Sequence, residues 1–123
     1  ALIDDDARAF EMLMKSWKTQ ATDRDYAEAS APSAAVVFEV VSVLDILGIL
    51  KEKGNRNVLS DVGIGACCAG AALEACRLNI LVNLRYIESA EHRKDLETLL
   101  DTLIPEGIKR ASDIRKQVEK ELE

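Results

Sequence analysis

The chain has 123 residues, is 48% apolar and 4% aromatic, and sets 16 Lys and Arg against 22 Asp and Glu for a formal charge of −6. That is one domain's worth of material, its acidity excludes a general nucleic-acid coating role, and its few aromatics favour aliphatic helix packing over a β-sandwich. No uncharged apolar run reaches the roughly 18 residues of a bilayer-spanning helix and no basic-then-apolar leader opens the chain, so the expectation is a cytoplasmic protein without a membrane partner.

In chain order, Leu2, Ala9, Phe10, Leu13 and Trp17 recur at helical spacing behind Asp4, Asp5 and Asp6, which suit the positive N-terminal end of a helix. The spacing predicts an amphipathic helix from Leu2 to Trp17. From Thr19 to Ala31 the pattern fades into a connector with about two helical turns, and Ser30-Ala31-Pro32-Ser33 reads as a cap and start signal. Ser33 to Lys53 carries two apolar stripes, Val37/Val40/Val41/Leu44/Leu47 and Val36/Val43/Ile46/Leu50. Its valines alone would suit a strand, but its length and the polar edge of Glu39 and Asp45 favour a helix buried on several sides. Lys51-Glu52-Lys53-Gly54 ends it, with Gly54 able to take a left-handed cap.

Ser60-Asp61 then caps a helix running to about Tyr86, rich in Gly63, Gly65, Ala66, Ala69, Gly70, Ala71, Ala72 and Ala75. Small residues cost helix propensity, so something approaches this backbone closely. A charged helix from His92 to Leu103 and a last one from Pro105 to Leu122 complete an all-α bundle of about five or six helices, with the Gly/Ala-rich helix at its centre. Residues 1–123 form a single domain that begins directly on a helix, as though cut from something longer.

Cys67, Cys68 and Cys76 include no Cys-x-x-Cys, and the one histidine, His92, lies in a charged run, which argues against a metal site. On a helix Cys67 and Cys76 stand about 13 Å apart along the axis and cannot bridge. They read as small buried apolar side chains.

The informative stretch is Gly54 to Asn83. Asp61 and Asn79 are five helical turns apart and share one azimuth, with Gly65, Cys68, Ala72, Ala75, Cys76 and Asn83 close to it. One reading is a packing seam with Asn79 and Asn83 as satisfied amides. The other is a groove floor, with Asp61, Ser60, Asn55 and Asn57 supplying acid/base and hydrogen-bond groups at the helix's N-terminal end.

The run Lys53-Gly54-Asn55-x-Asn57-x-x-Ser60-Asp61-x-Gly63-x-Gly65-Ala66, followed by Ala71-Ala72-Leu73-Glu74-Ala75 and Leu78-Asn79-Ile80-Leu81-Val82-Asn83-Leu84, resembles the formimino-tetrahydrofolate cyclodeaminase and methenyl-tetrahydrofolate cyclohydrolase family. The opening Leu2-Ile3-Asp4-x-Asp6-Ala7-x-Ala9-Phe10 is similar to that family's helix before the core. The family's first helix pair and Pro/Gly-rich loop have no counterpart, since the first glycine is Gly48. The resemblance implies an all-helical cytoplasmic enzyme, commonly a homodimer, acting on a tetrahydrofolate one-carbon adduct without metal or redox cofactor. It leaves open which of the two reactions the chain serves.

Both reactions pass through a tetrahedral carbon between two folate nitrogens and need one proton donor or acceptor beside it. On this reading Asp61 is the catalytic carboxylate, Asn55, Asn57, Ser60 and Gly65 hold the substrate, and Asn79 and Asn83 are amide partners or structural residues. Asp4 and Asp6 would make a second acidic pair, but helix-start electrostatics explain them as well, so they stay outside the catalytic set. The competing class is a non-catalytic helical interaction and oligomerisation module.

Overall fold

The computed structural model describes residues 1–17 and 22–123. Its elements are α1 (Leu2–Trp17), α2 (Asp23–Lys53), a 3-10 turn (Arg56–Val58), α3 (Leu59–Leu84), α4 (Ala90–Asp101) and α5 (Leu103–Leu122). The all-α expectation holds, and the valine-rich run of α2 is helical. The Trp17 side chain and the start of the expected connector, from Thr19 to Ala21, lie outside the described residues.

The connector is corrected. Helix α2 starts at Asp23 behind a reciprocal cap, in which Thr22 Oγ1 accepts the Asp25 N–H and Asp25 Oδ2 accepts the Thr22 N–H at 2.8 Å. This satisfies donors at the helix start, so Ser30 to Ser33 is interior and Pro32 lies inside the helix. An internal proline removes a ladder bond and costs about 3 kcal/mol. Burial of the Pro32 ring works against that cost, and the buried Ser30 hydroxyl beside it is satisfied by donating to the Tyr26 carbonyl at 3.1 Å.

Two further capping expectations are also corrected. Gly54 is extended (φ −75°, ψ 160°), not left-handed, and its N–H returns to the Leu50 carbonyl at 2.7 Å. A side chain there would collide with that same carbonyl, so close approach is what requires glycine. Ser60 and Asp61 do not cap α3. Asn55 Oδ1 accepts the Asn57 N–H at 2.9 Å and starts the 3-10 turn, which runs straight into α3 with Val58 at the N-cap position. The backbone is already helical before Ser60 is reached.

Helix α3 packs between α2 and α5. Its glycines make room: a Cβ on Gly63 would stand 2.9 Å from Val118 of α5, and one on Gly65 would stand 3.0 Å from Leu47 of α2. Leu44, Leu73, Ile80, Ile104 and Val37 are fully buried at the centre. By length and composition α2 and the Arg56–Leu84 stretch are each apolar enough to cross a bilayer, although charged residues interrupt both. Here they pack against one another, with Glu39 and Asp45 on the exposed side of α2 and Asp45 paired to Arg110 of α5 at 2.8 Å.

Helix α4 is anchored from a distance. Its N-cap Ser89 makes no side-chain cap, and Asp23 of α2 supplies one, its Oδ2 accepting the N–H groups of Ser89 at 2.6 Å and Glu88 at 3.2 Å. These two bonds hold the Asp23 carboxyl below its ordinary value. A depressed folded-state pKa gives stability that is present above the ordinary carboxylate range and lost as pH falls through the folded value. The melting temperature of an Asp23→Ala variant should therefore lie below the natural chain's near neutrality and converge with it in acid. A constant gap across pH would show that the carboxylate is not the source.

Candidate functional site

On α1, Asp6 follows Leu2 by one turn and precedes Ala9 and Leu13, so a carboxylate stands on the helix's apolar stripe. That stripe faces α2 and α3, and two cavities open where the three helices meet. The larger, about 430 Å³, is walled by Leu2, Ile3 and Asp6 of α1, Pro32, Ser33 and Val36 of α2, and Ala75, Cys76 and Asn79 of α3. The smaller, about 200 Å³, is walled by Asp6, Phe10 and Leu13 of α1, Tyr26 and Ala29 of α2, and Asn79, Val82, Asn83 and Tyr86. Asp6 and Asn79 belong to both, so the cavities form one groove with these two side chains at its waist.

The polar groups of the groove are interlocked. Asn79 Nδ2 donates to Ser33 Oγ at 2.6 Å, and Asn83 Nδ2 donates to the Asn79 carbonyl at 3.1 Å. Ser33 and Asn83 are buried while Asn79 and Asp6 reach solvent. Tyr26 and Tyr86 stack with centroids 5.0 Å apart. Burial pushes the Cys76 thiol up, and the nearby Asp6 carboxylate pushes it further, so this cysteine stays protonated.

The residues singled out from sequence divide into two groups. Asn79 and Asn83 line the groove. Asp61 is exposed in the first turn of α3, with no hydrogen bond or ion pair among the described residues. At the helical rise it lies about 27 Å along the axis from Asn79. Ser60, Asn55 and Asn57 are exposed near Asp61, Asn55 is engaged in its turn, and Gly65 packs against Leu47. The small-residue stripe is thus a packing seam at Gly63 and Gly65 and a groove wall at Ala75 and Asn79. Ser33 was not legible as a groove residue from the sequence, and Asp6 was set aside as a helix-start charge. The signal for Asp6 was a carboxylate in register with Leu2, Ala9 and Leu13.

The cysteine reading is corrected in part: Cys76 is buried, but Cys67 and Cys68 are exposed, because α5 covers the Ala66 and Ala69 side of α3. Among the described residues no three His, Cys, Asp or Glu side chains converge as metal ligands would.

Comparison with known proteins adds the chemistry. The family model described as formiminotransferase-cyclodeaminase matches residues 1–102, which take in α1 to α4 and so the whole groove. A curated relative, the methenyltetrahydrofolate cyclohydrolase of Methylorubrum extorquens, is 32% identical over 118 residues, covering 80% of this chain and 55% of the relative. The chain thus spans about half the length of the curated relative it matches. No solved structure matches. With the match covering residues 1–102, and so the whole groove among α1, α2 and α3, the chain belongs to the formiminotransferase-cyclodeaminase family.

Proposed function

We propose that this chain serves the methenyl-tetrahydrofolate cyclohydrolase reaction, with the one-carbon bridge at the waist of the α1/α2/α3 groove. The observation carrying this reading is that Asp6 and Asn79 wall both cavities at once, which gives a two-armed ligand one meeting point. Water adds to the cationic bridge carbon and gives up a proton, and then one carbon–nitrogen bond breaks as its nitrogen takes a proton. A carboxylate suits both steps, stabilising the cation as an anion and exchanging the proton in turn. Asp6 has that role here. Asn79, held by Ser33, orients the ligand. No step calls for a metal or a redox cofactor. The cyclodeaminase reaction passes through the same tetrahedral carbon with ammonia as leaving group, and assay of both substrates separates the two.

The assignment of the carboxylate to Asp61 is the rival within this reading, and parallel Asp6→Asn and Asp61→Asn variants of the full-length protein decide between them. Inactivity of the natural full-length protein on both substrates would sink the enzyme reading and leave the helical interaction module. The three free cysteines suit a reducing compartment, and we assign the protein to the cytoplasm.

Self-association belongs to the same proposal. Phe38, Val43, Ile46 and Ile49 leave a large apolar face of α2 open to solvent, a feature that marks interaction surfaces. Sedimentation at micromolar concentration should give a dimer or larger species. A monomer that shows no concentration dependence would refute it.

A further inference from the structure

The groove has two arms of unlike chemistry, and so does the proposed ligand. A folate's one-carbon bridge joins a flat pteridine, edged with N–H donors and carbonyl and ring-nitrogen acceptors, to a benzoyl ring that carries an amide-linked glutamate. If the bridge lies between Asp6 and Asn79, each arm must enter a different cavity. The smaller cavity holds about 200 Å³, below the roughly 300–1,000 Å³ typical of a whole drug-sized ligand, so it takes one ring system. The larger, about 430 Å³, is lined mainly by aliphatic groups such as Leu2, Val36 and Ala75.

Asn83 distinguishes them. Its side-chain amide is oriented by the Nδ2 bond to the Asn79 carbonyl, since only the nitrogen can donate there. The residue is 5% exposed, and nothing among the described residues donates to its Oδ1. No buried side-chain oxygen or nitrogen among the described residues lacks a partner, so Oδ1 keeps access to the cavity it lines. It is an open acceptor at the edge of a small aromatic cavity. Beside it, the half-exposed Tyr86 stacks on buried Tyr26, and Phe10 stands across from them on α1.

We infer that the Phe10/Tyr26/Tyr86 cavity is the pteridine subsite, with Asn83 Oδ1 accepting from the ring's amino edge and the benzoyl arm running through the larger cavity. This rests on the folate reading above. The benzoyl ring carries no N–H of its own, and its arm's amide N–H lies beyond the ring on the side away from the bridge, so the reverse placement would set ring carbons against the acceptor, which is the costly outcome for a buried polar group. Flat aromatic faces also favour a stacked or edge-on ring over an aliphatic wall.

The test uses full-length protein and two probes, 5,10-methenyl-tetrahydrofolate and p-aminobenzoyl-glutamate, with affinities read by saturation-transfer NMR up to millimolar concentration. Tyr86→Leu should weaken the methenyl compound about threefold to tenfold, the worth of one aromatic contact, and leave p-aminobenzoyl-glutamate unchanged. Val36→Phe, which narrows the other cavity, should weaken both. Asn83→Leu should act as Tyr86→Leu does. Should that buried substitution prevent folding, the half-exposed Tyr86 still decides. Equal weakening of both probes by Tyr86→Leu would put the benzoyl ring in the small cavity, and no effect on either would place the ligand elsewhere. Both results overturn the subsite while the folate reading survives. Failure of the natural protein to bind either probe overturns the folate reading and the subsite with it.

Discussion

Asp6→Asn in the full-length protein should lower turnover of methenyl-tetrahydrofolate by about a hundredfold to ten-thousandfold, the usual worth of a positioned acid or base, and keep affinity within about tenfold. The amide preserves shape and hydrogen bonding but cannot exchange the proton. Asp6 has no hydrogen bond or ion pair among the described residues, and it is exposed, so the substitution should leave the melting temperature almost unmoved. Asp61→Asn should leave turnover near that of the natural protein, because Asp61 lies about 27 Å along α3 from Asn79. Full activity of Asp6→Asn together with loss in Asp61→Asn would return the catalytic carboxylate to Asp61 and sever the chemistry from the groove.

The largest stability effect should come from Leu73→Ala. Leu73 is fully buried on α3, its Cδ1 fills the space over Gly107 of α5, and a Cβ on Gly107 would stand 2.6 Å from it and 3.7 Å from Leu44 of α2. Three helices meet at this side chain, and the glycine opposite has nothing to swing into the void. Urea denaturation should register a loss of about 3–5 kcal/mol, the upper part of the range for buried Leu→Ala. Ile64→Ala on the exposed side of the same helix should cost within about 0.5 kcal/mol. Comparable losses at both positions would mean that Leu73 is not the keystone of the three-helix contact.

Helix periodicity was legible because it is local: α1 was recovered from Leu2 to Trp17, and the close approach to α3 was readable from Gly63 and Gly65. Errors arose where a distant or reciprocal contact overrode the local signal. Pro32 looks like a helix start, yet the Thr22–Asp25 cap begins the helix earlier and burial holds the proline inside. Ser89 makes no side-chain cap of its own, and Asp23, 66 residues away, accepts its N–H, a contact that no local pattern records. At the site, the shared azimuth of Asp61 and Asn79 was readable, but not that Ser33, Asn83 and Asp6 would stand around Asn79. That Asp6 lines the same cavities as Asn79 follows from how α1 docks, which no local pattern records.

That docking has a consequence for motion. Among the described residues, helix α1 makes its backbone contacts with α2 alone, and Leu13 is its one buried side chain. The opposite wall is α3, clasped by α2 on one side and α5 on the other. One jaw of the groove is therefore held fast and the other weakly, and the weak jaw carries Asp6 and Phe10. Regions with few buried contacts open at lower free energy than the core, so amide exchange should be fastest in α1 and slow in α3. A ligand bridging Asp6 to Asn79 would tie the loose jaw to the fixed one, and its first visible signature would be slower exchange along α1 rather than any change in the core.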